Sequence, residues 1–318
     1  MSRFNIGSNI ISKDGPLYFV ADIGANHDGE INRAFKLIEL AKEAGAHAAK
    51  FQNFTASKIV SKKGFDNLDV QLSHQSNWEK SVYDTYDNAS IPLSWTHMLK
   101  EKCDEVGITY FTSPYDYNSV DHVNKYVPAF KIGSGDISWH EILDYIAAKG
   151  KPVILATGAS TLDEVKMAMN VIKQHTEKIV LMQCNTNYTA EKENFKYINL
   201  NVLKTYKSNF SNVILGLSDH TQGHATVVGS VPLGARVFEK HFTDDNNRIG
   251  PDHKFAMNPS SWRKMVKTAN EVFLSLGNGE KIVEKNERET AFIQRRGLNY
   301  IKDLPCLLYT SDAADDVR

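Results

Sequence analysis

The chain has 318 residues, which is enough for one large domain or for one domain with a small appendage. Hydrophobic residues make up 42% and charged residues 24%, and the formal net charge of -1 argues against nucleic acid or an anionic membrane surface as the main partner. The chain has three cysteines, no basic region followed by an apolar stretch at its start, and no apolar run near the roughly 20 residues that cross a bilayer, so we expect a protein of the reducing cytoplasm.

Apolar runs and segments with helical spacing alternate along most of the chain. After a polar start and a turn at residues 14–16, residues 17–21 form the first predicted strand, and residues 31–44 form a helix that Gly45 ends. Residues 55–91 are irregular, as in a functional loop or a segment with small elements of its own. The remaining predicted strands cover residues 46–52, 108–112, 129–132, 152–157, 179–183, 213–217 and 236–242, and the remaining predicted helices cover residues 94–106, 118–125, 139–148, 161–172, 202–210, 224–234 and 259–276.

Eight units of a strand followed by a helix predict the fold class. The runs are nearly uniformly apolar, as expected of strands that are buried on both faces of a parallel sheet. Eight such units favour a closed (β/α)8 barrel, the TIM barrel of the α/β class, over an open sheet. We place this barrel at residues 1–280.

Catalytic groups of such barrels cluster at the carboxyl ends of the strands. Almost every predicted strand of this chain ends in a side chain that can bind an anion, a metal or a hydroxyl group, which a purely structural barrel does not need. In chain order these side chains are Asp22, Lys50, Gln52, Ser113, Lys131, Ser134, Thr157, Asn185, Tyr188, Asp219, His220 and His241.

Two of these side chains indicate a metal site. His220 and His241 end neighbouring predicted strands, so they can share one divalent ion whose other positions are filled by substrate and water. Imidazole ligands suit Mn, Fe, Co or Zn, and carboxylates would shift the preference towards harder ions. The other nine histidines are interpreted as ordinary side chains, and His27, in the first loop between strand and helix, is the one to examine.

Two lysines indicate an anion site. Lys50 and Lys131 lie inside apolar strands, where an unpaired ammonium group is costly, and one phosphate or carboxylate ligand could serve both. A Schiff-base nucleophile or a side chain that reaches the barrel rim are the alternative interpretations of either lysine. Asp22, Asp219 and Asp252 are candidates for acid–base work or hydroxyl binding, or else ordinary turn residues.

Several motifs, in this order, resemble those of the sialic acid (nonulosonate) synthase family over about residues 17–277. The resemblance implies a transferase that joins phosphoenolpyruvate to an N-acetylated hexose, either N-acetylmannosamine or a diacetamido hexose, and gives a nine-carbon sialic-acid-like sugar and phosphate. A non-catalytic sugar-phosphate-binding barrel remains an alternative. The motifs that carry the resemblance are Ala21–His27, Ala49–Gln52, Lys131–Gly135, Gly216–Thr221, Glu239–Asp244 and Gly250–Asp252.

The resemblance also implies roles for individual residues. His220 and His241 would bind the metal, usually Mn²⁺ or Mg²⁺, and Asp22 and Asp252 would complete a catalytic set with the two lysines. Phosphoenolpyruvate would be held by Lys50, Ser113, Lys131, Ser134 and Ser218, and the open-chain sugar would be contacted by Gln52, Tyr188 and Asp252.

This chain departs from the family pattern at three positions of the predicted site. Asp22 stands where the family commonly has Glu, so its carboxylate reaches less far. Thr157 follows Ala156 where relatives often have Ser, and we assign substrate binding to Thr157. Asn185 is assigned in the same way, because Thr186 stands where an Asn contact is expected. The departures leave the predicted reaction class unchanged and bear on the choice of sugar.

The C-terminal segment is expected to begin a second domain. Residues 281–305 are interpreted as a linker and the first strand of a truncated antifreeze-like (SAF, β-clip) domain, and residues 306–318 as a read-through artefact that resembles a sequencing adaptor. In the family, this small domain lends an arginine to the partner subunit, so the resemblance implies a homodimer of the full-length protein. For the truncated chain we expect an intact barrel and metal site but weak sugar binding.

Overall fold

The computed structural model describes residues 3–66, 80–298 and 303. A two-stranded antiparallel hairpin precedes eight parallel strands, and helices fill the connections between those strands. The strands are β1 Arg3–Ile6, β2 Asn9–Ser12, β3 Tyr18–Asp22, β4 Ala48–Asn53, β5 Thr109–Pro114, β6 Phe130–Ile132, β7 Val153–Ala156, β8 Ile179–Cys184, β9 Ile214–Asp219 and β10 Ala235–His241. The helices are α1 Ile31–Glu43, α2 Ala56–Ile59, α3 Lys62–Asp66, α4 Val82–Ala89, α5 Trp95–Val106, α6 Tyr117–Asn124, α7 His140–Ala147, α8 Leu162–Lys173, α9 Val202–Asn209, α10 Ala225–Ser230, α11 Pro259–Ser275 and α12 Arg288–Gln294, with 3-10 turns at Ser134–Asp136, Lys192–Tyr197 and Lys285–Glu287.

The eight parallel strands form a nearly closed barrel in the order β5-β4-β3-β10-β9-β8-β7-β6. The two strands at the ends of this order, β5 and β6, lie against each other. The first and last strands of the barrel, β3 and β10, are direct neighbours, with Asp22 opposite His241. The prediction of a TIM barrel is confirmed, and each of the eight predicted strands is present within a few residues of its expected bounds.

The alternation of side chains along β9 and β10 decides which polar residues face the barrel axis. All seven residues of β10 are buried. Glu239 and His241 point to the axis, whereas Lys240 points outward, where it pairs with Asp219 and donates a hydrogen bond of 2.6 Å to the Thr221 carbonyl. Asp219 is therefore a structural partner behind the barrel wall, and its candidacy as an acid–base group is not supported.

The N-terminal hairpin is the element that the sequence analysis missed. The sequence predicts a polar start without strands over residues 1–16, but β1 and β2 pair antiparallel around a turn in which Gly7 has a positive φ of 59°. Phe4, Ile6 and Ile11 are buried beneath the hairpin. The signal was a period-two pattern four residues long, which is the shortest alternation that predicts a strand.

The irregular segment after β4 contains small elements, as expected. Helices α2, α3 and α4 lie within it, and a small apolar cluster of Ala56, Val60 and Val82 holds them together. Residues 67–79 lie outside the described residues. Several side chains of this segment face the barrel mouth, so its position determines the shape of the site.

The chain divides into two units between Ser275 and Leu276. In the second unit, the structure describes the 3-10 turn and α12. The expected first strand of an antifreeze-like domain falls partly outside the described residues, which omit residues 299–302 and 304–318, and the adaptor-like tail falls wholly outside them, so both stay predictions. Within the described ranges, no helix is long and apolar enough to cross a membrane.

Candidate active site

Asp22 connects the two halves of the site at the barrel mouth. It is the last residue of β3 and is only 1% exposed. Its Oδ2 lies 2.6 Å from Lys50 Nζ and accepts a hydrogen bond of 3.3 Å from Gln52 Nε2. The same oxygen is 3.5 Å from His241 Nε2. The shorter side chain at this position therefore still reaches both a predicted anion-binding lysine and a predicted metal ligand.

Glu239 is a site residue to which the sequence analysis gave no role, although its motif was recognised. Its Oε1 lies 3.4 Å from Lys131 Nζ and 3.8 Å from Lys50 Nζ, and accepts a hydrogen bond of 3.2 Å from Ser218 Oγ. Burial raises the pKa of Glu239, but the positive charges of the two lysines outweigh this effect and bring the pKa down to about 2. Glu239 stands two residues before His241 on β10, and this spacing was the signal that both side chains face the axis.

The two buried lysines thus have counter-ions within the chain. The sequence predicts one ligand anion for both lysines, whereas Asp22 and Glu239 supply two carboxylates within the chain. Burial lowers the pKa of Lys50, and the charges of Asp22 and Glu239 raise it above its ordinary value. A Schiff-base lysine must lose its proton before it attacks, so these pairings count against that interpretation of Lys50.

The two histidines lie side by side as predicted, with ring centroids 5.4 Å apart. His220 Nδ1 is 2.8 Å from the Asn185 carbonyl, which can only accept, so Nδ1 carries the proton and Nε2 keeps its lone pair. Burial and the neighbouring His241 lower the pKa of His220 to about 3. Burial also lowers the pKa of His241, but the carboxylates of Asp22 and Asp252 raise it above its ordinary value.

These donors fit a divalent cation. His220 presents an unprotonated nitrogen whose orientation is fixed by a backbone carbonyl, a common arrangement for a metal-binding imidazole. His241 Nδ1 is buried and lies 3.4 Å from Asp252 Oδ2 without forming a hydrogen bond. In the part of the chain that the structure describes, no group of three or more His, Cys, Asp or Glu side chains could hold a metal by itself. Water and substrate would therefore complete the coordination of an ion at the two histidines.

Asp252 reaches the site from the loop after β10. Its Oδ2 accepts a hydrogen bond of 3.2 Å from the Ala25 N–H. Burial raises the pKa of Asp252, but His241 and this hydrogen bond lower it to about 2. The close approach depends on Gly24, which has a positive φ of 49° and at which a Cβ would stand 2.9 Å from Asp252 Oδ2.

The predicted hydroxyl ligands divide into two groups. The Ser113 Oγ is buried without a hydrogen-bond partner, and Ser134 Oγ accepts a hydrogen bond of 2.8 Å from the Gly158 N–H. Thr157 behaves differently, because its hydroxyl donates to the Met182 carbonyl at 2.8 Å and contacts the Tyr206 hydroxyl of α9 at 2.8 Å. Thr157 therefore faces the helical layer, and its assignment as a substrate ligand is not supported.

The loop after β8 supplies one predicted contact and changes another. Tyr188 packs its ring 4.3 Å from the His220 ring and lines the site cavity, as expected of a sugar contact. The Asn185 amide is instead used within its own loop, where it donates to the Tyr197 carbonyl at 3.2 Å and accepts from the Asn187 N–H at 3.1 Å. Asn185 contributes to the site through the carbonyl that orients His220.

A cavity of about 430 Å³ opens above these residues. It is lined by the polar side chains of His241 and Asp252 and, from the segment after β4, by mostly aromatic or apolar side chains together with Lys58 and Thr85. Asp136 and Trp139, which follow β6, were not predicted as site residues. The further lining residues include Gln52, Phe54, Ile59, Val60, Tyr86, Tyr115, Tyr188 and Pro251.

Comparisons with known proteins agree with this geometry. The model of the NeuB family matches residues 37–281. The chain is 34% identical to the N,N'-diacetyllegionaminic acid synthase of Campylobacter jejuni, over 90% of this chain and 85% of that protein, and 31% identical to the N-acetylneuraminate-9-phosphate synthase of Homo sapiens, over 84% and 73%. The solved N-acetylneuraminic acid (sialic acid) synthetase of Leptospira borgpetersenii has a TM-score of 0.80 and 25% identity, covering 92% of this chain and 96% of that chain.

Proposed function

Because the chain belongs to the NeuB family, we propose that it condenses phosphoenolpyruvate with an N-acetylated hexose, N-acetylmannosamine or a diacetamido hexose. The products are a nine-carbon sialic-acid-like sugar and phosphate. The observation that carries this proposal is the contact of Asp22 with both Lys50 and His241, which joins a proposed anion-binding lysine to a proposed metal ligand.

The lysine half of the site suits the phosphate and carboxylate of phosphoenolpyruvate. An ammonium group has three donors, so Lys50 and Lys131 can keep their carboxylate partners and still donate to the substrate. The hydroxyl of Ser113 is buried without a partner in the described structure and is available for the same anion, for which Ser134 and Ser218 are the further proposed hydroxyl ligands. Asp22 and Glu239 hold the lysines in place before substrate binds.

The histidine half suits the aldehyde of the open-chain sugar. His220 and His241 would hold Mn²⁺ or Mg²⁺, which supplies Lewis-acid polarisation of the aldehyde oxygen when bound. Gln52, Tyr188 and Asp252 orient the sugar so that C3 of phosphoenolpyruvate reaches the aldehyde carbon. Water then adds at C2, and phosphate leaves by cleavage of the C–O bond.

The test is release of phosphate from phosphoenolpyruvate with Mn²⁺ across a panel of N-acetylated hexoses. We expect acceptor-dependent release, which Lys131→Met lowers by on the order of 100-fold or more because it removes a donor to the developing charge. The matched control is Lys264→Met, on the exposed side of α11. Absence of acceptor-dependent release with every sugar of the panel would refute the proposed synthase and favour a non-catalytic barrel.

A Schiff-base aldolase is separated by a second measurement. Borohydride with substrate should leave the mass of the protein unchanged, whereas an aldolase would gain a covalent adduct at Lys50 or Lys131.

We also propose that the full-length protein is a homodimer of the cytoplasm, where the buried Cys103 and Cys184 stay reduced.

A further inference from the structure

Four carboxylates surround the proposed reaction centre in the described residues, and three of them are held by partners. Asp22 contacts Lys50, Glu239 contacts both lysines, and Asp252 contacts His241 and a backbone N–H. The fourth, Asp136, lines the cavity, and its side chain makes no hydrogen bond or ion pair with the described part of the chain. A carboxylate that lines a substrate cavity without a partner is free to exchange a proton with substrate or water.

We propose that Asp136 is the acid–base catalyst of the phosphate-releasing half of the reaction. In this role it takes a proton from the water that adds to C2 and returns that proton to the departing phosphate. The inference rests on the proposed function and adds a catalytic residue to it.

The position of Asp136 puts it at the phosphate end of the cavity. It ends the 3-10 turn Ser134–Asp136, directly after β6, and so lies close in the chain to Lys131 and Ser134, two of the proposed phosphoenolpyruvate ligands. Trp139 lines the same part of the cavity. His241 and Asp252 lie on the opposite side of the ring of strands, where the aldehyde is proposed to bind.

The charges that face Asp136 suit a proton carrier. Burial raises the pKa of Asp136 to about 6, and the charge of Lys131 on β6 opposes this rise. The neighbouring titratable group directly after β5 is the half-buried Tyr115, and desolvation raises the pKa of its hydroxyl well above the ordinary value. The pKa of Asp252 is held at about 2. The different surroundings of Asp136 and Asp252 thus give these two carboxylates different pKa values. Asp136 can therefore carry a proton, whereas Asp252 stays an anion.

The proposed step balances without any further reactant. C3 of phosphoenolpyruvate bonds to the aldehyde carbon, which leaves an alkoxide at the new C4 and a cation at C2. Water bonds to C2 and passes one proton to the Asp136 carboxylate. When the bond between C2 and the phosphate oxygen breaks, Asp136 returns this proton to that oxygen. The remaining proton of the new C2 hydroxyl passes to the C4 alkoxide, and C2 becomes a ketone.

Steady-state and single-turnover kinetics of Asp136→Asn test the assignment. We expect kcat to fall by roughly 10²–10⁴-fold with little change in the KM of phosphoenolpyruvate, as for loss of a general acid–base group. In a quenched single turnover, phosphoenolpyruvate should be consumed before phosphate appears, because condensation precedes the impaired step. The control is Asp163→Asn, a carboxylate that is 86% exposed on α8.

The pH profile and chemical rescue separate proton transfer from positioning. Because the carboxylate form takes the first proton, kcat/KM of the wild type should fall as the pH drops below about 6. The phosphate of the substrate titrates in the same range, so the ratio of the wild-type and Asp136→Asn profiles isolates the contribution of Asp136. Formate should partly restore Asp136→Ala, and Asp136→Glu should retain more activity than Asp136→Asn.

Three results would overturn the inference. Wild-type kcat and an unchanged acid limb in Asp136→Asn would show that the carboxylate transfers no proton. A raised KM of either substrate with unchanged kcat, without rescue by formate, would make Asp136 a binding residue. Loss of the folded state in both Asp136→Asn and Asp136→Glu, seen by circular dichroism, would make its role structural. Failure of the proposed synthase function is distinguishable, because the wild type would then release no phosphate with any acceptor.

Discussion

At the scale of single residues, Glu239 decides the charge balance of the site. Replacing it by Gln leaves Lys131 and Lys50 with one carboxylate instead of two in a buried environment. Removal of one member of a buried ion pair destabilises a protein by roughly 3–5 kcal/mol. We therefore expect Glu239→Gln to lower the free energy of unfolding in urea by several kcal/mol, in addition to its effect on phosphate release.

A double-mutant cycle with Lys131→Met checks this explanation. In the background of Glu239→Gln, removal of the Lys131 charge should cost less stability than in the wild type, because that charge has already lost its partner. If the two substitutions destabilise additively, the charge pairing is not the cause, and a packing effect of Glu239 becomes the better explanation.

The sequence predicted which residues lie near the site better than it predicted the role of each one. The polar strand ends were visible in the sequence, and Lys50, Gln52, His220 and His241 converge as expected. The direction of a side chain depends on strand alternation and on what it meets, and for this reason Asp219 and Thr157 were placed at the mouth although both face the helical layer. Asp136 gave no signal, because an Asp after a Gly-Ser turn is an ordinary turn residue.

At the scale of elements, the first loop of the barrel is built to let Asp252 approach. Gly24 and Gly29 both have positive φ, but a Cβ at Gly24 would meet Asp252 Oδ2 at 2.9 Å and His241 Nδ1 at 3.1 Å, whereas a Cβ at Gly29 would have its nearest neighbour at 3.8 Å. A side chain at either position would therefore cause the same type of backbone strain, but only a side chain at Gly24 would contact the site.

Gly24→Ala and Gly29→Ala form a matched pair of variants. Each should lose about 1–2 kcal/mol of stability, the cost of placing an L side chain in the left-handed region. Only Gly24→Ala should also raise the KM of the sugar, because it displaces Asp252. Equal sugar KM values for the two variants would show that the close approach at Gly24 has no part in substrate binding.

The periodicity of the sequence predicted the long elements and failed at the short ones. Eight apolar runs were sufficient to predict the barrel, because strands covered by helices on one side and by the barrel interior on the other need no polar face. The hairpin of β1 and β2 has four residues in each strand, and its stability comes from burial of Phe4 and Ile11 against the rest of the chain. Such tertiary stabilisation is not visible in local sequence.

At the scale of the whole molecule, the site exists only when the barrel closes. Asp22 on the first barrel strand and His241 on the last stand opposite each other in the sheet, and Lys131 comes from the middle of the chain. A ligand that binds there binds the folded barrel and not the unfolded chain. Binding should therefore stabilise the whole barrel against unfolding.

Mn²⁺ without any substrate tests this coupling directly. An ion present at 100 times its Kd adds about 2.7 kcal/mol to the free energy of unfolding, so the midpoint of urea unfolding should rise with Mn²⁺ and return to its starting value with EDTA. His241→Ala should abolish the rise, since it removes one of the two imidazole ligands. The control is His97→Ala, on the exposed side of α5. An equal rise in both variants would place the Mn²⁺ effect elsewhere on the molecule, and the metal site proposed at His220 and His241 would be wrong.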